Sequence, residues 1–136
     1  MADVLVVSDA PWVRKEVISA IDDCSVRELA RGDDVAPAVR DRRPDLVIAD
    51  LQVGSMGGMA ISLDLRLEES AGRLPSVPVL MLLDRRADVF LARRSGAEGW
   101  IVKPLDPLRI RRAVHTLLEG GTFHDETYKP ATVSPD

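Results

Sequence analysis

The sequence predicts an α/β fold in which five βα units form one parallel sheet covered by helices on both faces. Three observations predict it. Short, nearly continuous apolar runs recur at residues 4–7, 46–49, 79–83 and 100–102, with a weaker run at 26–30. Such runs are typical of strands buried on both faces; strands with one wet face alternate instead. The segments between them carry helical spacing, as the crossovers of a parallel sheet must. Finally, 136 residues with 46% hydrophobic and 29% charged content suit a single globular domain with a core of its own.

Taken in chain order, the first crossover begins at Pro11, and Val13, Val17, Ile18 and Ile21 recur at helical spacing behind it. Asp33 or Asp34 is placed to cap a second helix over 35–42, which ends before Pro44. The segment "AISLDLRLEE" is ambiguous, because Ile61, Leu63, Leu65 and Leu67 alternate strictly with polar residues, which is a strand's period. Helix is nevertheless predicted. Its residues are mostly good helix formers, and a crossover is needed between two parallel strands. Leu63 or Leu67 should then be left exposed as a contact surface. A fourth helix starts near Asp84 or Asp88 and ends at Gly96. Asp106 caps the last, with Pro107 in its first turn, Leu108, Ala113, Leu117 and Leu118 as apolar positions, and a stop at Gly120 and Gly121. The folded domain is predicted to be residues 1–120. Residues 121–136, polar and without a period, read as a flexible C-terminal tail.

Charge and composition exclude several classes. A net charge of -4 gives no global attraction for nucleic acid. The N-terminus lacks the pattern of a signal peptide, and no apolar run approaches the roughly 18 residues of a membrane span. The single cysteine, Cys24, cannot close an internal disulfide. A cytoplasmic location is expected, with no membrane contact. His115 and His124 stand isolated, so no zinc or nucleophile arrangement is visible. No glycine-rich loop follows the first strand, which counts against a dinucleotide enzyme.

The chemistry should lie at the carboxyl ends of the strands, where open parallel sheets bind ligands. Ser8 and Asp9 follow the first strand, Asp50 the third, Leu83 and Asp84 the fourth, and Lys103 the fifth. Singly, Asp9 reads as a helix cap and Asp50 as a turn residue. Together they bring two acids and a lysine to one edge, with Asp84 as a possible third acid. Carboxylates this close repel unless a cation intervenes. Mg2+ suits the set, since it takes one or two carboxylates plus water and a phosphate, and Lys103 is left to offset charge on the same phosphate.

The stretches "VLVVSDAPWVR", "DLVIADLQVGSMGG", "VPVLMLL" and "GAEGWIVKP", in that order, resemble the receiver domain of two-component response regulators over about residues 3–119. The resemblance implies a doubly wound five-stranded sheet of flavodoxin-like order 2-1-3-4-5. It implies that Asp50 accepts a phosphoryl group from a histidine kinase or phosphotransfer protein. Asp9, Asp50 and the backbone carbonyl of Gln52 would hold Mg2+, with Ser8 acting through a water. Lys103 would contact the phosphoryl oxygens, and the Lys103-Pro104 bond would be cis. The last two helices, rich in Arg85, Arg86, Arg93, Arg94, Arg109, Arg111 and Arg112, correspond to the family's partner and homodimer surface; a charge run of this kind also reads as a plain solvated face.

The sequence departs from the family at five positions. Ser8 stands where a second acid is usual, which removes a charge from the metal site. Leu83 replaces the Ser or Thr whose hydroxyl moves to the phosphoryl group, a bond of about 1.5–3 kcal/mol. Asp84 replaces a small residue and reads as a cap of the next helix, or else as an acid turned inward. Trp100 takes the place of the switch aromatic; otherwise it is a Trp half-buried at the sheet edge. Gly54 replaces a proline and, with Gly57 and Gly58, should loosen the loop after Asp50. The expectation is a single-domain receiver, not an enzyme, that signals through protein-protein contacts. The alternative is a phosphorylation-independent pseudo-receiver that keeps the fold as an interaction module. A phosphohydrolase would want an acid two residues after Asp50, where Gln52 stands.

Overall fold

A computed structural model describes residues 1–125. The elements run β1 (Asp3–Val7), α1 (Pro11–Ala20), β2 (Ser25–Leu29), α2 (Val35–Asp41), β3 (Leu46–Asp50), α3 (Gly58–Ser70), β4 (Val79–Leu83), α4 (Val89–Ser95), β5 (Gly99–Val102), α5 (Pro107–Leu118) and β6 (Phe123–His124). One parallel sheet joins them in the order β2-β1-β3-β4-β5-β6. The expected order holds for the first five strands, and a short sixth is added at the β5 edge.

The apolar runs explain the layering. Strand side chains alternate between faces, so each run feeds two cores. Leu5, Val7, Val47, Ala49, Val79, Met81 and Leu83 pack toward α2, α3 and α4, while Val4, Val6, Leu46, Ile48, Leu80 and Leu82 pack toward α1 and α5. Each fully buried Val, Leu or Ile contributes roughly 1.5–3 kcal/mol, which is why these runs cannot be placed anywhere but inside.

The alternating segment is helical, as α3: Ile61 and Leu65 are buried, and both Leu63 and Leu67 are exposed. The crossover requirement outweighs the local period of two. Asp106 caps α5, its side chain accepting from the Leu108 N–H at 3.0 Å. Asp34 takes the N-cap position of α2, as one of the two expected candidates, but its side chain makes no capping hydrogen bond. A single 3-10 turn over Gly32–Asp34 precedes that helix, and Asp33 pairs with Arg31 at 2.8 Å instead.

The beginning of the segment read as tail is ordered in the fold. Gly121 N–H donates to Thr116 O at 2.9 Å, and β6 then pairs with β5, Phe123 opposite Gly99 and His124 opposite Trp100. Asp125 follows, buried, and accepts from the Val102 N–H at 2.9 Å. Two residues of strand carry too little period to be seen in a sequence. The rest of the predicted tail, 126–136, lies outside the described residues.

Candidate functional site at the carboxyl edge of the sheet

Register fixes the site. Val7 lies opposite both Leu29 and Ala49, Asp50 opposite Leu82, and Leu83 opposite Val102. The residues that leave β1, β3, β4 and β5 therefore emerge at one edge, beside the point where strand order reverses between β1 and β3.

Asp50 ends β3 and is only 3% exposed. Burying a carboxylate is costly unless it is paired and hydrogen-bonded. Lys103 Nζ donates to its Oδ1 at 2.9 Å, and Ser8 Oγ donates to its Oδ2 at 2.9 Å. Ser8 thus bonds Asp50 directly, while its Oγ also accepts from the Ala10 N–H at 3.1 Å and its carbonyl accepts from Arg14 Nη1 at 2.6 Å.

Asp9 does not cap α1, whose N-cap residue is Ala10 with no side-chain cap. Its exposed carboxylate accepts from the Gly54 N–H at 2.9 Å. A proline at 54 would have no N–H to give, so the glycine ties the loop to Asp9. Gly57 is equally constrained, since a Cβ there would fall 2.4 Å from Leu51 O. The Gly32 N–H adds a bond to Ser55 Oγ at 3.0 Å. The loop expected to be loosened is instead tied on two sides. Gln52 is exposed at its start.

Lys103 begins the loop after β5, with a cis bond to Pro104 and its backbone N–H on Leu83 O at 2.8 Å. Its Nζ bridges Asp50 and Asp84, the latter at 2.8 Å. The indole of Trp12 lies beside it, 5.9 Å from Nζ to the ring centroid. Burial disfavours the ammonium, but the hydrogen bonds to Asp84 and Asp50 outweigh it and hold the Lys103 pKa above its ordinary value.

The cap reading of Asp84 is overturned. Its carboxylate turns inward to Lys103, and the turn that leads into α4 is closed by Asp88, which accepts from the Arg85 N–H at 3.1 Å. Asp84 answers the cation across the sheet edge, while the Arg85 N–H that follows it is already taken by Asp88.

Leu83 is fully buried in the core toward α2, α3 and α4. Trp100 lies in the same core and is 2% exposed, so it is not half-buried at the edge. His124 stacks on it, centroids 4.1 Å apart and planes within 4°, and Arg93 lies 5.5 Å from its centroid. Among the described residues, the indole Nε1 is buried without a hydrogen-bond partner.

Neither histidine is isolated, since His115 Nε2 contacts Asp23 Oδ2 at 2.9 Å. Several arginines at and around the last two helices are engaged within the chain as well: Arg85 with Asp88, Arg109 with Asp106 and Asp125, and Arg111 with Asp22.

The donors of Asp9 and Asp50 are hard oxygens, and with Asp84 they outnumber the lysine, so the edge carries excess negative charge. Among the described residues no group of three or more His, Cys, Asp or Glu is placed to cage a metal alone. The hard carboxylate oxygens of Asp9 and Asp50 are of the kind Mg2+ takes, one or two at a time, with water and phosphate oxygen completing its sphere. The structure pairs Lys103 with Asp50 and leaves Asp9 at the exit of β1, held by the Gly54 N–H. Sequence reading did not place Ser8 on Asp50, Gly54 on Asp9 or Trp12 beside Lys103, contacts that depend on side-chain direction across elements.

The family described as response regulator receiver domain matches residues 4–115. The chain is 28% identical to the nitrate/nitrite response regulator protein NarL of Escherichia coli over 133 residues, covering 95% of this chain and 60% of that protein. It is 31% identical to the DNA-binding response regulator MtrA of Mycolicibacterium paratuberculosis, covering 78% of this chain and 52% of that one. The chain thus spans little more than half the length of these relatives. Among solved structures it is similar to the receiver domain of NtrX from Brucella abortus, with a TM-score of 0.75 and 28% identity over 86% of this chain and 98% of that one. The chemotaxis response regulator CheY4 of Vibrio cholerae gives 0.74 and 26% over 85% and 97%.

Proposed function

We propose, from the premise that this chain belongs to the response regulator receiver family, that Asp50 accepts a phosphoryl group in two-component signalling. The observation that carries this reading is the pairing of buried Asp50 with Lys103 and Ser8 at the sheet edge that also holds Asp9. The donor is a phosphohistidine of a histidine kinase or phosphotransfer protein. An Asp50 carboxylate oxygen forms the new P–O bond as the P–N bond breaks, and the leaving imidazole takes up a proton. Lys103 supplies an ammonium to the phosphoryl oxygens. Asp9, Asp50 and the Gln52 carbonyl would hold Mg2+, which when bound offsets the charge gathering on those oxygens. Output passes through protein-protein contacts of the receiver surface, in the cytoplasm, with α4 and α5 as the face offered to a downstream protein or a second copy.

A second reading has specific support. Leu83 has no hydroxyl, and Trp100 is packed beneath His124, so the fold could serve as an interaction module that ignores phosphorylation. Intact mass after treatment with phosphoramidate and Mg2+ separates the two. The expected result is a single adduct on the wild type and none on Asp50→Asn. An unmodified wild type at saturating metal would sink the phosphoacceptor reading.

A further inference from the structure

The exit of β4 shows a substitution and a contact that belong together. Leu83 is fully buried and brings no hydroxyl to the edge. The next residue, Asp84, reaches inward and puts Oδ1 2.8 Å from Lys103 Nζ, beside the 2.9 Å contact of that same nitrogen with Asp50. Asp84 remains 37% exposed at its side chain, whereas Asp50 is nearly sealed. Asp84 is thus a carboxylate on the open side of the lysine, where an anion arriving at Asp50 from solvent must also make its contact.

From this geometry we infer that Asp84 is a built-in competitor of the phosphoryl group for Lys103, and that its release reports phosphorylation to the start of α4. The inference rests on the phosphoacceptor reading for its signalling half and on the ion-pair geometry alone for its binding half. An ammonium has three N–H donors, of which Asp50 and Asp84 use two. Phosphoryl oxygens at Asp50 bring up to two negative charges to the same nitrogen. Asp84 then loses its share of the cation and faces like charge, so it moves outward. Its neighbours Arg85 to Asp88 form a closed turn, with Asp88 accepting from both the Arg85 N–H at 3.1 Å and its guanidinium at 3.2 Å. A displaced Asp84 therefore pulls on a small unit that leads directly into α4. Where a hydroxyl drawn inward is unavailable, a carboxylate driven outward gives the same segment two positions.

The test begins without phosphotransfer. Inorganic phosphate, with and without Mg2+, is titrated into wild type and Asp84→Asn, each also in the Lys103→Met background, and amide shifts around Gly54 are followed by NMR. Asp84→Asn should bind phosphate about two- to fivefold more tightly than wild type, the scale of a partly exposed ion pair. That gain should vanish when Lys103→Met is present. Equal affinities, no measurable binding, or a gain that persists with Lys103→Met would overturn the competitor role. In the second arm, phosphoramidate and Mg2+ should modify Asp84→Asn about two- to fivefold faster than wild type. Hydrogen exchange over 84–89 should rise on phosphorylation in wild type and be already high in Asp84→Asn. Unchanged exchange on the modified wild type would overturn the reporting role. Absence of any adduct on both proteins would remove the phosphoacceptor reading and with it the reporting role, while the titration still decides whether Asp84 competes for Lys103.

Discussion

The ends of β1, β3 and β5 supply Asp9, Asp50 and Lys103, and hydrogen bonds hold each of them to a partner at this edge. In the same sheet, the end of β4 and the second residue of β5 hold Leu83 and Trp100 in the core, where the resemblance implied a mobile hydroxyl and a switch aromatic. Receiving a phosphoryl group requires charges at fixed places. Transmitting its arrival requires something that moves. On the proposed phosphoacceptor reading, the strand exits meet the first requirement, while core packing occupies Leu83 and Trp100; at the same edge Asp84 keeps a partly exposed carboxylate paired with Lys103.

The largest expected break in that contrast comes from Lys103→Met, on the receiving side. It leaves Asp50 buried without its cation and Asp84 without a partner, and should destabilise the fold by about 1–3 kcal/mol in urea unfolding. The rate of adduct formation from phosphoramidate should fall by roughly a hundredfold, as for loss of a donor to developing negative charge. A rate within a few-fold of wild type would show that Lys103 is structural only. Because pairing raises the Lys103 pKa, its contribution is complete below the unfolded value, about 10.4, and is lost as pH climbs through the folded one. The stability gap between wild type and Lys103→Met should therefore be constant through neutral pH and narrow only in strong alkali.

Leu83→Thr probes the transmitting side. Placing a hydroxyl where a fully buried leucine stands should cost about 1–3 kcal/mol in thermal or urea unfolding. If packing is what silences this position, phosphorylation of Leu83→Thr should change hydrogen exchange around Trp100 more than phosphorylation of wild type does. Identical responses would mean that the stacked Trp100, rather than Leu83, limits the coupling. His124→Ala addresses that point directly and has the smallest expected effect. Loss of the stack should cost about 0.5–1.5 kcal/mol, with a red-shifted indole emission as Trp100 gains water. Unchanged fluorescence would argue that the core alone keeps Trp100 in.

Much of the fold was legible because its causes are local or periodic. Five apolar runs of the right length leave few alternatives to a parallel sheet, and the Asp106-Pro107 start and glycine stop of α5 are written in adjacent residues. The alternating leucines of α3 show where local reading reaches its limit, since the period of two gave way to a crossover that the flanking strands demand. In the same way β6 escaped notice because two residues have no measurable period; it is stabilised by the β5 edge it joins and by the His124 stack on Trp100.

The sequence by itself determined which residues stand at the strand exits, and so that Asp9, Asp50, Asp84 and Lys103 would share one edge. The reason is that buried strands fix their own direction and ends once the sheet order is known. Only the tertiary structure decided where those side chains point. Asp84 chose Lys103 over a helix start, Ser8 chose Asp50, and the Gly54 N–H tied the loop to Asp9. A polar group turns toward the strongest complementary partner within reach, and here that partner leaves another strand, 19 to 45 residues away along the chain.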